Sequence, residues 1–241
     1  MDLISIDDLS DGQIAAILDA GLSWFDFNRS DLRGQDNRLA GKLVFNLFYE
    51  NSTRTLMSFA TAAHRLGANV VTLPVEQSSV RKGETLEDTA RTLNAMHPDL
   101  LVVRHSQNGA PLRVAEVMTC PVINAGDGTH EHPTQGLLDI MTIRERRQSL
   151  AGLTVALAIC GDIKHSRVAR SNAKLLPRLG AEVRLAGPPS LMPDDAPALS
   201  IEEAIDGADV VMMLRVQRER LDEDLGDAPG EYLARYGLTA E

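Results

Sequence analysis

Cysteine is scarce here. Two in 241 residues cannot build a disulfide framework, and Cys120 and Cys160 lie far apart in apolar surroundings, so both are expected as buried, reduced thiols. No apolar run is long enough to cross a bilayer, and the first residues, M-D-L-I-S-I-D-D, carry acids where a secretory signal carries bases. These absences point to a cytoplasmic protein with no membrane partner. Cations are also in deficit. The 24 Lys and Arg against 34 Asp and Glu give a formal net charge of -10, which argues against a nucleic-acid surface. Any local gathering of cations is the more telling, because the rest of the surface repels an anion.

Several catalytic signatures are missing too. There is no G-x-x-x-x-G-K-[ST], Gly161 lacks the further glycines of a dinucleotide fingerprint, and no G-x-S-x-G elbow occurs. His130-Glu131-His132 lacks the H-E-x-x-H spacing that would put two histidines on one metal, so neither metal nor cofactor is expected.

What is present is a soluble composition, 44% hydrophobic and 24% charged, with strand-like and helix-like runs alternating and no internal repeat. The expected fold is α/β, with two domains, each a mainly parallel sheet flanked by helices. The expected strands are 42–48, 69–73, 100–103 and 122–124, then 154–160, 182–186 and 209–214. The expected helices are 10–22, 55–66, 85–96 and 111–118, then 134–147, 166–179 and 201–205. This gives a first domain over 1–133, a joining helix over 134–149 and a second domain over 150–241. The second sheet has fewer strands and the chain ends on Y-L-A-R-Y-G-L-T-A-E, so the second domain is expected to be incomplete at its C-terminus.

The richest stretch is F-Y-E-N-S-T-R-T, residues 48–55, between an apolar strand and a helical pattern. Ser52 stands where the helix begins. Free N–H groups and the positive end of the dipole favour an anion there, and the hydroxyls of Ser52, Thr53 and Thr55 with the Arg54 fork add donors. An N-cap alone would explain Ser52. It does not explain Arg54, a cation that opposes the dipole unless an anion offsets it.

Other strand ends add to this. Arg104-His105 follows one strand, and N-A-G-D-G follows the next, with His132-Pro133-Thr134-Gln135 opening the following helix. The loop S-S-V-R-K-G-E-T, residues 78–85, brings Ser78, Ser79 and Lys82. In the second half, G-D-I-K-H-S-R places Lys164, His165 and Arg167 before a helix, and R-V-Q-R-E-R places Arg215 and Gln217 after a strand. Arg54, Lys82, Arg104, Arg167 and Arg215, with His132, fit a ligand set of several negative charges, such as a phosphate plus a dicarboxylate. An aligned bidentate pair contributes about 1.5–3 kcal/mol.

Taken in order, these motifs resemble the catalytic chain of the aspartate carbamoyltransferase family over nearly the whole length. The resemblance implies carbamoyl transfer from carbamoyl phosphate to the amino group of L-aspartate, a step of pyrimidine synthesis. It implies that Ser52, Thr53, Arg54, Thr55 and Arg104 bind the phosphate. Thr55, Arg104 and His132 polarise the carbamoyl oxygen, and Gln135 holds the carbamoyl amide. Arg167 takes the α-carboxylate of aspartate, while Arg215 and Gln217 take its side-chain carboxylate. It implies a homotrimer with shared active sites, in which Ser78 or Ser79 and Lys82 reach into a neighbour's site, and a link through Glu50 and Arg220 when the domains close.

Two departures stand out. Leu56, Met57 and Ala60 replace polar residues common after the motif, and the family's later H-P-x-P loop and final helix are missing. Two rival readings follow: a carbamoyltransferase for another amine such as ornithine, and a trimeric scaffold with impaired catalysis serving a partner such as a dihydroorotase. A regulatory chain is a further possible partner.

Overall fold

The structure, a computed structural model, describes residues 1–29, 36–73, 75, 83–147, 149–158, 163–194 and 199–214. Two compact units, Met1–Met141 and Thr142–Glu241, divide the chain.

In the first unit, α1 (Asp11–Arg29) precedes β1 (Leu43–Phe48), α2 (Thr53–Arg65), β2 (Asn69–Leu73), α3 (Leu86–Asn94), β3 (Leu100–His105), α4 (Ala110–Ala115) and β4 (Val122–Asp127). Helix α5 (Pro133–Arg147) follows and carries the division between units. The four strands form one parallel sheet in the order β2-β1-β3-β4. Its central strands read as apolar runs because both faces are covered. Phe45 and Leu47 of β1 point to the face where Leu86, Ala90 and Leu93 of α3 and Val114 of α4 pack. Val44 and Phe48 point to the opposite face, against Ala63, Leu56 and Phe59 of α2. Each fully buried Leu or Val contributes about 1.5–3 kcal/mol.

That order matters for function. From β1 the chain crosses outward to β2, then returns to β3 on the other side of β1, so the winding reverses at the β1/β3 pair. The crevice outside the carboxyl ends of such a pair is where open parallel sheets bind ligands.

The second unit contains β5 (Thr154–Ala158), α6 (Arg167–Arg178), β6 (Glu182–Ala186), α7 (Ile201–Ile205) and β7 (Val210–Val211). Its parallel sheet runs β6-β5-β7. Helix starts follow the expected side-chain chemistry. Ser166 caps α6, Thr85 caps α3, and Ser200 with Glu203 forms a reciprocal capping box on α7.

Two elements differ most from expectation. Helix α1 runs on to Arg29 instead of stopping near Leu22. Met141 packs so closely on Gly21 that a Cβ there would stand 2.5 Å from its sulfur, and the last turns are held by an edge-to-face Trp24–Phe27 pair and Arg29 over Phe25. Strand β7 pairs over only two residues, Val210 and Val211, where six were expected.

Candidate functional site

The pairing of β1 with β3 puts Phe48 opposite Arg104, so the segment leaving β1 and the end of β3 share one edge of the sheet. Between β3 and β4 the register steps from Val103↔Asn124 to His105↔Asp127, so β4 carries one residue more than β3. Bulges of this kind re-aim a side chain, and the side chain in the step is Arg104. It is buried, donates from Nη1 to the Ala125 carbonyl at 3.0 Å and pairs through Nη2 with Glu50 Oε1 at 2.5 Å. Glu50 thereby ties the β1–α2 segment to the end of β3.

Helix α2 begins beside this pair. Ser52 is its N-cap: Oγ accepts from the Thr55 N–H at 3.4 Å and donates to Thr55 Oγ1 at 2.8 Å. The hydroxyls of Ser52 and Thr55, expected as anion donors, are thus those engaged at the helix cap. The first turn holds no acidic residue and does hold Arg54, which is exposed. Among the described residues Arg54 has no carboxylate within ion-pairing distance. A 13-residue helix with a bare cation in its first turn favours an anionic ligand there.

The β4–α5 segment completes the edge. Asp127 is fully buried, accepts from the Gly109 N–H at 2.8 Å and lies 3.0 Å from His130 Nδ1. Asn108 Oδ1 accepts from the Thr129 N–H at 2.8 Å, and Gly128 donates to the His105 carbonyl at 2.9 Å. The β3–α4 and β4–α5 loops are thus stitched together. His130, Glu131 and His132 take different partners: His130 meets Asp127, Glu131 accepts from Ser5 and Ile6, and His132 Nδ1 lies 3.3 Å from the Thr134 hydroxyl. Among the described residues no cluster suited to a metal occurs. His132 is buried just before α5, and Gln135 in the first turn donates to Asp139 at 2.9 Å.

His105 lies against Tyr49 with the rings tilted at 44° and their centres 4.8 Å apart, and its Nδ1 accepts from the Gln107 N–H at 2.9 Å. Burial, then the nearby Arg113 cation, holds its pKa below the ordinary 6.5, so the ring is kept neutral.

In the second unit, Arg167 opens α6 and is buried, and that first turn also lacks an acidic residue. Six expected site residues, Ser78, Ser79, Lys82, Arg215, Gln217 and Arg220, lie outside the described residues. The structure brings Glu50, Ser52, Thr53, Arg54, Thr55, Arg104, His132 and Gln135 to one sheet edge. Sequence reasoning missed the framing residues Asn108 and Glu131. Their partners stand 21 and more than 120 residues away, beyond the reach of a local pattern.

With this geometry in place, similarity to known proteins is informative. Residues 1–145 match the family model described as the carbamoyl-phosphate-binding domain of aspartate/ornithine carbamoyltransferases. The aspartate carbamoyltransferase catalytic subunit of Granulibacter bethesdensis is 55% identical over 98% of this chain and 76% of its own length. That of Rhizorhabdus wittichii is 53% identical over 99% and 77%. Among solved structures, Trypanosoma cruzi aspartate transcarbamoylase in complex with carbamoyl aspartate and phosphate aligns with a TM-score of 0.84 at 36% identity, covering 92% of this chain and 76% of that one. The catalytic subunit of the M. jannaschii enzyme aligns at 0.82 with 34% identity, covering 97% and 78%.

Proposed function

Since the chain belongs to the aspartate/ornithine carbamoyltransferase family, we infer that it moves the carbamoyl group of carbamoyl phosphate to the amino group of L-aspartate, giving N-carbamoyl-L-aspartate and phosphate. The observation that carries this reading is the anion-ready start of α2, with its hydroxyls and Arg54, beside Arg104 at the β1/β3 reversal.

In this reading Ser52, Thr53, Arg54, Thr55 and Arg104 hold the phosphate, and Gln135 holds the carbamoyl amide. The neutral amine of aspartate attacks the carbonyl carbon. The oxyanion that forms takes hydrogen bonds from the Thr55 hydroxyl, the Arg104 guanidinium and His132. The carbon–oxygen bond to phosphorus-bearing oxygen then breaks, phosphate departs with the electron pair, and the amine proton passes to it. One oxyanion donor accounts for about 2.7–4 kcal/mol of barrier, and alignment of two reactants for about 7–11. Arg167 receives the α-carboxylate; its place in an acid-free first turn supports that assignment. Arg215 and Gln217 receive the side-chain carboxylate, and Ser78, Ser79 and Lys82 serve a neighbouring subunit of a trimer.

The test is product formation. Carbamoyl phosphate labelled at carbon and supplied with aspartate is expected to give labelled N-carbamoyl-L-aspartate, with ornithine giving no citrulline. Turnover with ornithine alone would overturn the assignment.

A further inference from the structure

One buried carboxylate has no part in that chemistry. Glu131 is fully buried, and a carboxylate taken out of water is costly unless its partners are good. Its Oε1 accepts from the Ser5 hydroxyl at 2.6 Å and its Oε2 from the Ile6 N–H at 2.9 Å. Both partners belong to the N-terminal segment, which is itself sewn to β4. Leu3 donates to the Val122 carbonyl and accepts from the Asn124 N–H, each at 2.9 Å. The Ile4 carbonyl accepts from Asn124 Nδ2 at 2.8 Å. The backbone of Glu131 is gripped as well, its carbonyl accepting from the Asp127 N–H at 3.0 Å.

The residue so fixed on several sides is the one before His132, and the His132 carbonyl starts α5 by accepting from the N–H groups of Gln135 and Gly136. We propose that Glu131, clamped by Ser5 and Ile6, is a positioning residue that sets the imidazole of His132 for the carbamoyl oxygen. The inference rests on the assignment of His132 as an oxyanion donor. Its physical basis is that donors must be held in place before charge develops, and a misplacement of about 1 Å costs about 100-fold.

The experiment compares the full chain with Glu131→Gln and Ser5→Ala variants, each alone and in a His132→Ala background. The readouts are the His132 ring nitrogen signals, kcat, KM for carbamoyl phosphate and melting temperature. Glu131→Gln is expected to shift or broaden the His132 signals and lower kcat about tenfold, with KM within about twofold. Ser5→Ala, which leaves the Ile6 bond intact, is expected to give a smaller loss in the same direction and decides the matter if Glu131→Gln does not fold. In the His132→Ala background neither change is expected to lower kcat further. Unchanged ring signals and kcat with only a lower melting temperature would reduce Glu131 to a staple and overturn the proposal. So would an equal loss in the His132→Ala background. Full activity in His132→Ala alone would instead overturn the oxyanion assignment, while the ring signals still report on positioning.

Discussion

Arg54 and Ser52 show how much a single turn of helix can disclose. Their types and order led to the proposal of an anion site, because a cation in a first turn without acids conflicts with the dipole. Arg104 was legible as a strand-end cation, but its link to Glu50, 54 residues away, was not. Nothing local to either residue encodes the β3–β4 bulge that aims the guanidinium. His105 carries a prediction at this scale. Its folded pKa lies below 6.5 through burial and Arg113, with Asp127 and Glu50 pulling weakly the other way. The unfolded chain takes up that proton first as pH falls. The stability due to the neutral ring is therefore full above about pH 6.5 and is lost as pH falls from there toward the folded pKa. Melting temperatures measured from about pH 7.5 to about pH 5.5 are expected to fall less steeply in His105→Gln than in the parent. Equal slopes would remove His105 from the account.

Elements were legible where the pattern was local. Strand β1 and helix α2 come from an apolar run followed by a capping residue, and both lie within two residues of expectation. Helix α1 runs seven residues past the expected Leu22 because its last turns are held by the Trp24–Phe27 and Arg29–Phe25 ring contacts, which hydrophobic spacing does not report. Strand β7 was overestimated because an apolar run cannot report how far its neighbour pairs. The β4–α5 loop depends on Gly128, whose φ of +48° disfavours side chains and where an added Cβ would stand 2.0 Å from Asn108 Oδ1. Gly128→Ala is expected to cost about 1–3 kcal/mol and to pull apart the Asn108–Thr129 stitch. Denaturant unfolding checks the first, and the Thr129 amide exchange rate the second. An unchanged midpoint with a protected Thr129 amide would contradict this.

For the molecule as a whole, a net charge of -10 makes the cation-bearing sheet edge distinctive, since negative substrates must be drawn to a protein that otherwise repels them. The alternation of strands and helices disclosed two parallel sheets, yet the winding reversal at β1/β3 became visible only from the strand order. The proposed trimer with shared sites predicts a sedimentation mass of three chains, and a purely monomeric mass at working concentration would contradict it. The most direct test of the central claim is steady-state formation of N-carbamoyl-L-aspartate by the parent and by Arg54→Ala, with phosphate binding measured by calorimetry in both. The account predicts that the variant keeps its melting temperature, loses phosphate affinity and falls about 100- to 1000-fold in kcat/KM. Unchanged phosphate binding and turnover in Arg54→Ala would mean that the start of α2 is a helix cap and nothing more.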